Sequence, residues 1–252
     1  MTSETSIWSS SRAPFASPAS LSLPLDEVHV WRLALDRPVE AFRDLLQPDE
    51  LTRADRFYFE KDRKHFAVAR GFLRRLLGGY LQAPPKSVRF TYGAWGKPAL
   101  GAEFSQSQLR FNMSHSHGLA LYAVTEGREI GVDVEYMRPD FATDDIARRF
   151  FSAFEFGVLC ELPDHDRVAG FFRCWTRKEA YIKATGRGMS QPLDGFDVTL
   201  GSGDDVALRR NEDGSHARWR LVDVPAGDDY AGAVAVEQPV TKIRYWDADD
   251  RD

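Results

Sequence analysis

The chain has 252 residues, 43% of them hydrophobic and 28% charged, a balance that separates it from disordered and fibrous sequences. Its net charge of −5, from 33 Lys+Arg against 38 Asp+Glu, gives no overall pull toward nucleic acid, so any anion site must be a local basic cluster. Two cysteines, Cys160 and Cys174, with no CxxC, point to neither a disulfide framework nor a zinc site. They fit a reducing, cytoplasmic setting, and no stretch has the length of a membrane-spanning helix.

Residues 1–24 carry eight serines with Pro14, Pro18 and Pro24, show no hydrophobic period, and are expected to form a flexible tail from which Ile7, Trp8 and Phe15 can dock. Alternation at 28–35 predicts a first strand. A helix is expected over 48–59 and a second over 62–80, where Phe66, Ala69, Leu73, Leu76, Leu77 and Tyr80 make an apolar stripe and Arg63, Arg70 and Arg74 share another face. Strands follow at 88–92, 109–116, 119–124 and 130–136, with Glu126-Gly127-Arg128-Glu129 reading as a hairpin turn between the last two. Helices at 144–162 and 168–185, the latter stopped by Gly186, precede strands at 196–200, 206–210, 218–224 and 230–236, and an acidic, solvated end at 247–252. Each half offers helices first and antiparallel strands after, with Arg56-Phe57-Tyr58 and Arg149-Phe150-Phe151 in comparable places. The pattern predicts an α+β chain of two similar lobes, 25–137 and 138–252, with a cleft between them.

Four groups of residues carry chemistry. In Gly131-Val132-Asp133-Val134-Glu135, strand alternation puts Asp133 and Glu135 on one face while Ile130, Val132 and Val134 turn to the core. Neighbouring carboxylates repel unless a cation lies between them, and Mg²⁺ takes one or two protein carboxylates together with substrate phosphates. The plain alternative is a half-exposed strand with two ordinary acids. In Trp175-Thr176-Arg177-Lys178-Glu179-Ala180-Tyr181-Ile182-Lys183, Glu179 and Lys183 are four apart and share a helical face. They read either as a third carboxylate with a phosphate-steadying ammonium, or as a surface ion pair. In Phe111-Asn112-Met113-Ser114-His115-Ser116-His117, Ser114 and His115 suit a loop that touches a phosphate, while His115 and His117 also make a metal-type HxH pair. Among the basic residues, Arg53, Arg56, Arg63, Arg70 and Arg74 read mostly as a solvated helix face, whereas Lys97 in Gly96-Lys97-Pro98 is held by a rigid turn.

Taken in order, Gly96-Lys97-Pro98, the block 111–116, the block 131–135 and the run from Trp175 to Met189 resemble the surfactin-type 4′-phosphopantetheinyl transferase family, from near Arg56 to about Val198. The resemblance implies two α+β lobes related by a pseudo-twofold, coenzyme A in the cleft, and Mg²⁺-dependent transfer of phosphopantetheine to a serine of an acyl or peptidyl carrier protein with release of 3′,5′-ADP. It implies Asp133, Glu135 and Glu179 as the Mg²⁺-associated acids, Lys183 beside the pyrophosphate, Ser114 and His115 in the phosphate-contacting loop, and Lys97, the lysine of the GKP loop, as a further coenzyme A-binding residue. Asp133, Glu179 and Lys183 are then catalytic, with Glu179 taking the serine proton directly or through a metal-bound water. Two positions depart from the family pattern. Glu50 stands where members often carry a lysine, and His65-Phe66 where a phosphate-contacting threonine or arginine can stand, so the 3′-phosphate falls to Arg53 or Arg56. The aromatic residues around 141–156 are expected either to dock the carrier protein or to fill the second lobe's core, and a monomer is expected. Two other readings stay open: a hydrolase with zinc on His115, His117 and Asp133, and a non-catalytic module that binds coenzyme A or a carrier protein.

Overall fold

Residues 7–11, 21–201, 203, 205–211 and 214–248 are described by the computed structural model. A short strand β1 (Trp8–Ser11) precedes β2 (Glu27–Ala34) and a single turn, α1 (Glu40–Arg43). α2 (Pro48–Asp55) begins with proline in its first turn, and Glu50 accepts the Gln47 N–H in a capping box. α3 (Glu60–Leu81) is followed by a small hairpin, β3 (Phe90–Tyr92) and β4 (Pro98–Leu100), and then by β5 (Leu109–Ser116) and β6 (Leu119–Glu126). The second half repeats this plan with β7 (Ile130–Tyr136), α4 (Asp144–Phe150), α5 (Ala153–Glu161), α6 (Asp164–Thr185), β8 (Asp197–Val198), β9 (Leu208–Arg210), β10 (Trp219–Asp223) and β11 (Tyr230–Glu237). β12 (Lys242–Ala248) closes the chain.

The molecule is an α+β fold in four layers. One sheet has the order β1-β12-β2-β6-β5 and the other β10-β11-β7. Between the sheets lies an aliphatic core of Val28, Val30, Leu121, Val132, Val134, Val234 and their neighbours. On the outer face of the first sheet, Phe72, Leu73, Leu76 and Leu77 of α3 pack on Trp31, Leu33, Phe111 and Tyr122. Ala180, Tyr181 and Ala184 of α6 cover the second sheet at Leu221, Ala231, Ala233 and Ala235. Each fully buried large aliphatic side chain contributes about 1.5–3 kcal/mol. Among the described residues no helix is long and apolar enough to cross a membrane.

The repeat is visible in the buried polar groups as well. α3 and α6 are both 22 residues long, and Arg74 and Lys178 stand at matching positions along them. Arg74 donates to Glu50 at 2.7 Å and to the Val88 carbonyl, and Lys178 donates to Glu155 at 2.6 Å and to the Phe196 carbonyl at 2.6 Å. Glu50 and Glu155 both close capping boxes at the start of the short helix before the long one. Arg70 adds a second guanidinium on Glu50 at 2.5 Å. Arg70 and Arg74 are therefore buried rather than part of a solvated face, and Glu50 is a structural carboxylate.

Several sequence expectations are corrected. The turn at 126–129 is no hairpin: β6 lies between β2 and β5, and β7 pairs with β11 in the other sheet. The hairpin is β5–β6, where Ser116 faces Leu119 and the two loop residues, His117 and Gly118, both have positive φ, as a two-residue primed turn needs. β7 pairs within the second sheet, and β12 returns to the first sheet in parallel with β2. Of the expected solvated end, Asp247 and Ala248 belong to β12, and 249–252 lie outside the described residues. Within the expected tail, Trp8–Ser11 adds a strand alongside β12; residues 1–6 and 12–20 lie outside the described residues. The expected helix over 144–162 breaks at Phe151–Ser152, because Ser152 caps α5 through the Glu155 N–H. The stretch 56–59 separates α2 from α3 and leaves Tyr58 and Phe59 exposed.

Candidate active site

The site forms where the edges of the two sheets meet. Alternation on β5 turns Asn112, Ser114 and Ser116 toward β7, and each makes a side-chain bond in place of a backbone ladder. The Asn112 amide oxygen accepts the Val132 N–H at 2.9 Å. Ser114 donates to Asp133 Oδ1 at 2.9 Å, and Ser116 donates to Glu135 Oε2 at 2.8 Å while accepting the Tyr136 N–H. The pairing of Ser114 with Asp133 and Ser116 with Glu135 fixes both carboxylates from the opposite lobe.

α6 supplies the other half. It can lie on β7 only because residue 131 is glycine: a Cβ there would stand 2.1 Å from the Ala180 carbonyl oxygen and 2.3 Å from the Ala184 nitrogen. Arg177 and Lys178 turn inward and anchor the helix, Arg177 to Asp223 at 2.6 Å and to the Thr199 carbonyl at 2.5 Å. Glu179 and Lys183, on the other side, face the cleft. Lys183 Nζ lies 2.5 Å from Asp133 Oδ1 and 3.0 Å from Ser114 Oγ. Lys183 is thus paired with Asp133 across two elements rather than with Glu179 along its own helix.

The electrostatics are uneven. Asp133 Oδ1 is shared by Lys183 and Ser114, but Oδ2 is buried and has no hydrogen-bond partner. Burial pushes the Glu135 carboxyl above the usual carboxylate range, and the charge of Asp133 pushes it further, against the Ser116 hydrogen bond and Lys183. Burial and then Asp133 likewise raise Glu179, with Lys183 opposing, and Glu179 makes no hydrogen bond to a described residue. For a carboxyl raised on folding, stability falls as pH climbs from the unfolded value through the folded one. Glu135→Gln is therefore expected to raise the melting temperature of the ligand-free protein at neutral pH by about 1–3 °C, read by scanning calorimetry. An unchanged or lower melting point would mean that neither burial nor the Asp133 charge penalises the Glu135 carboxylate.

A cavity of about 600 Å³ opens beside these groups, lined by Trp95, Lys97, Met113, Phe150, Glu179 and Lys183 among others. Lys97 directs its ammonium to Glu129 at 2.9 Å and the Ala184 carbonyl at 3.0 Å. Arg53 and Arg56 line a separate opening with Thr52, Phe57 and Tyr92, and the Arg53 guanidinium stacks on Phe66 at 5.3 Å. His115 is exposed at the surface, yet desolvation lowers its imidazole, and Lys183, His65 and Arg53 lower it further. His65 itself is held by Asp36 at 2.8 Å. His117 stacks on Tyr136 at 4.7 Å, and among the described residues no group of three or more His, Cys, Asp or Glu, such as His115, His117 and Asp133, is placed to hold a metal. Phe141, Phe150 and Phe151 pack with Phe171 and Trp175 in the second core, and only Phe154 of that aromatic run is 41% exposed. Gly131 and Ser116 escaped the sequence reading. The signal for Ser116 was its i+2 spacing from Ser114 along a strand; for Gly131 it was a glycine inside a strand, a mark of close backbone approach.

Comparison with known proteins bears on this arrangement. A family model described as 4′-phosphopantetheinyl transferase superfamily matches residues 129–235, and one described as 4′-phosphopantetheinyl transferase, N-terminal, matches residues 21–126. The 4′-phosphopantetheinyl transferase HetI of Nostoc sp. is 43% identical over 232 residues, 91% of this chain and 95% of that protein. The 4′-phosphopantetheinyl transferase Sfp of Bacillus subtilis is 27% identical over 226 residues, 86% of this chain and 97% of that protein. The crystal structure of Thermotoga maritima holo-[acyl-carrier-protein] synthase covers 44% of this chain and 62% of that one, with a TM-score of 0.35 and 17% identity.

Proposed function

We infer how the cleft works from one premise: the chain belongs to the 4′-phosphopantetheinyl transferase superfamily. It transfers the 4′-phosphopantetheine group of coenzyme A to a serine hydroxyl of a carrier protein. The serine oxygen forms a bond to the β-phosphorus, the bond from that phosphorus to the bridging oxygen breaks, and 3′,5′-ADP leaves.

The observation that carries the mechanism is the split state of Asp133, one oxygen claimed by Lys183 and Ser114 and the other buried and unpartnered. An orphaned buried carboxylate oxygen beside two acids raised first by burial and then by the Asp133 charge fits a hard divalent cation. Among the described residues no group of three or more His, Cys, Asp or Glu is placed to hold a metal alone, and Mg²⁺ asks for fewer protein ligands because substrate phosphates complete its shell. Asp133 and Glu135 would hold it, leaving Glu179 free, and when bound it would supply charge neutralisation to the pyrophosphate.

The remaining roles belong to side chains. Glu179, with a raised carboxyl and no hydrogen bond to satisfy, accepts the serine proton. Lys183 lines the cavity where negative charge gathers on the departing phosphate, a contact worth roughly 3–4 kcal/mol of barrier. Ser114 and His115 offer hydroxyl and imidazole to the phosphates, and Arg53, stacked on Phe66 near His115, is the cation for the 3′-phosphate, with Arg56 beside it. Met113 and Phe150 give the cavity apolar walls. The enzyme works as a monomer in the cytoplasm on an acyl or peptidyl carrier protein.

The test is the intact mass of an apo carrier protein after incubation with this protein, coenzyme A and Mg²⁺. A gain of one phosphopantetheine unit, lost with a chelator, is expected. No gain with several carrier proteins, despite tight coenzyme A binding, would refute the transfer reading in favour of a binding module.

A further inference from the structure

The tip of the β3–β4 hairpin belongs to the first lobe yet closes onto the second. Gly96, with φ of +79°, makes the tight loop possible, and the Gly93 N–H bonds back to the Lys97 carbonyl at 2.9 Å. Two side chains of this loop then reach across. Trp95 lies so close to Gly188 that a Cβ there would stand 2.6 Å from the Trp95 Cβ. Lys97 runs past Gly186, its Cδ 3.7 Å from where a Cβ would sit, and ends on Glu129 and the Ala184 carbonyl.

Both partners of Lys97 belong to the second lobe. Glu129 sits at the crossover just before β7 and is fastened to β11, its N–H on the Glu237 carboxylate at 3.1 Å and its carbonyl taking the Glu237 N–H at 3.1 Å. Ala184 lies in the last turn of α6, where carbonyls lack helical partners and a cation is favoured. It is also the residue after Lys183. With its ammonium occupied twice over and its side chain only 21% exposed, Lys97 holds the backbone that carries Lys183 and Glu179 in register with Ser114 of the first lobe.

We propose that Lys97 is a positioning residue: with Trp95 it latches the hairpin of the first lobe to the end of α6, and so sets the distance between the two halves of the active site instead of binding coenzyme A through its ammonium. The proposal rests on the transferase reading of the cleft. Its logic is that phosphoryl transfer depends steeply on alignment, a misplacement of about 1 Å costing on the order of 100-fold.

Three variants and three readouts test it: Lys97→Met, Lys97→Arg and Glu129→Gln, each followed by calorimetric coenzyme A affinity, single-turnover transfer at saturating coenzyme A, and hydrogen exchange of the amides of 184–188 in the ligand-free protein. Lys97→Met is expected to slow transfer about 10-fold or more while affinity stays within about 3-fold, the split that marks misalignment rather than lost binding. Exchange of the α6 end should speed up about 10-fold. Lys97→Arg should restore most of the rate, since its guanidinium reaches the same acceptors. Glu129→Gln should reproduce part of the loss and add little on top of Lys97→Met, as coupled groups do. The proposal is overturned if Lys97→Met weakens coenzyme A binding in step with the loss of kcat/KM while Glu129→Gln and hydrogen exchange stay as in the wild type. If the wild type itself transfers nothing, the transferase reading falls, and unchanged exchange in Lys97→Met would then overturn the latch separately.

Discussion

Glu179→Gln is expected to slow phosphopantetheine transfer about 10²–10⁴-fold while leaving the fold intact. The size follows from the role: an amide matches the carboxylate in shape but accepts no proton. The intact fold follows from the surroundings, because Glu179 makes no hydrogen bond to a described residue, and burial and then the Asp133 charge already disfavour its ionised form. Circular dichroism and a single-turnover rate would be measured side by side. A variant that folds and keeps more than about half the wild-type rate would remove Glu179 from the proton transfer.

The largest effect on stability should come from a residue far from the chemistry. Glu155 is fully buried, with one oxygen taking Lys178 at 2.6 Å and the Val198 N–H at 2.8 Å and the other taking the Ser152 N–H at 2.8 Å. Burial drives its carboxyl up, and Lys178 only partly compensates. Glu155→Ala strips the partner from a buried ammonium and should cost about 3–5 kcal/mol in urea unfolding. The paired change Glu155→Leu with Lys178→Met should recover a good part of that loss, because it removes both charges together. A loss under about 1 kcal/mol in the single variant would mean that water reaches Lys178 and that the pair does not hold α5 to α6.

The same pair shows what the sequence carries and what it conceals. The shared faces of Asp133 with Glu135 and of Glu179 with Lys183 are legible in local periodicity, because strand alternation turns two acids one way and helical spacing groups a glutamate with a lysine; their roles, and that of Ser114, come from the family resemblance. The structure brings these separate stretches together, with Lys183, Ser114 and Asp133 within 3.0 Å of one another. Long-range partners are not written in such periods. The helical period of α3 puts Arg70 and Arg74 on a common face and suggests water there, but the face meets Glu50, which α2 delivers from twenty residues or more away. The β5–β6 hairpin is hidden for a different reason. Its turn pairs Gly118 with His117, whose φ of +45° is uncommon for a residue with a side chain, whereas Glu126-Gly127-Arg128-Glu129 has the composition of a turn and is in fact the crossover between sheets. β12 escapes notice because it joins the first sheet across the whole length of the chain, through pairs such as Trp31 with Trp246. The departure at Glu50 is explained by its structural work, and that at His65 by its bond to Asp36.

The most direct test of the mechanism is calorimetric titration of coenzyme A, with and without Mg²⁺, into the wild-type protein and into Asp133→Ala. The orphaned Asp133 oxygen predicts that Mg²⁺ tightens coenzyme A binding about 10-fold or more in the wild type, roughly 1.4 kcal/mol, and has almost no effect in the variant. Undiminished Mg²⁺ enhancement in a folded Asp133→Ala protein would contradict it, and would place the cation on other groups than the acid pair of β7.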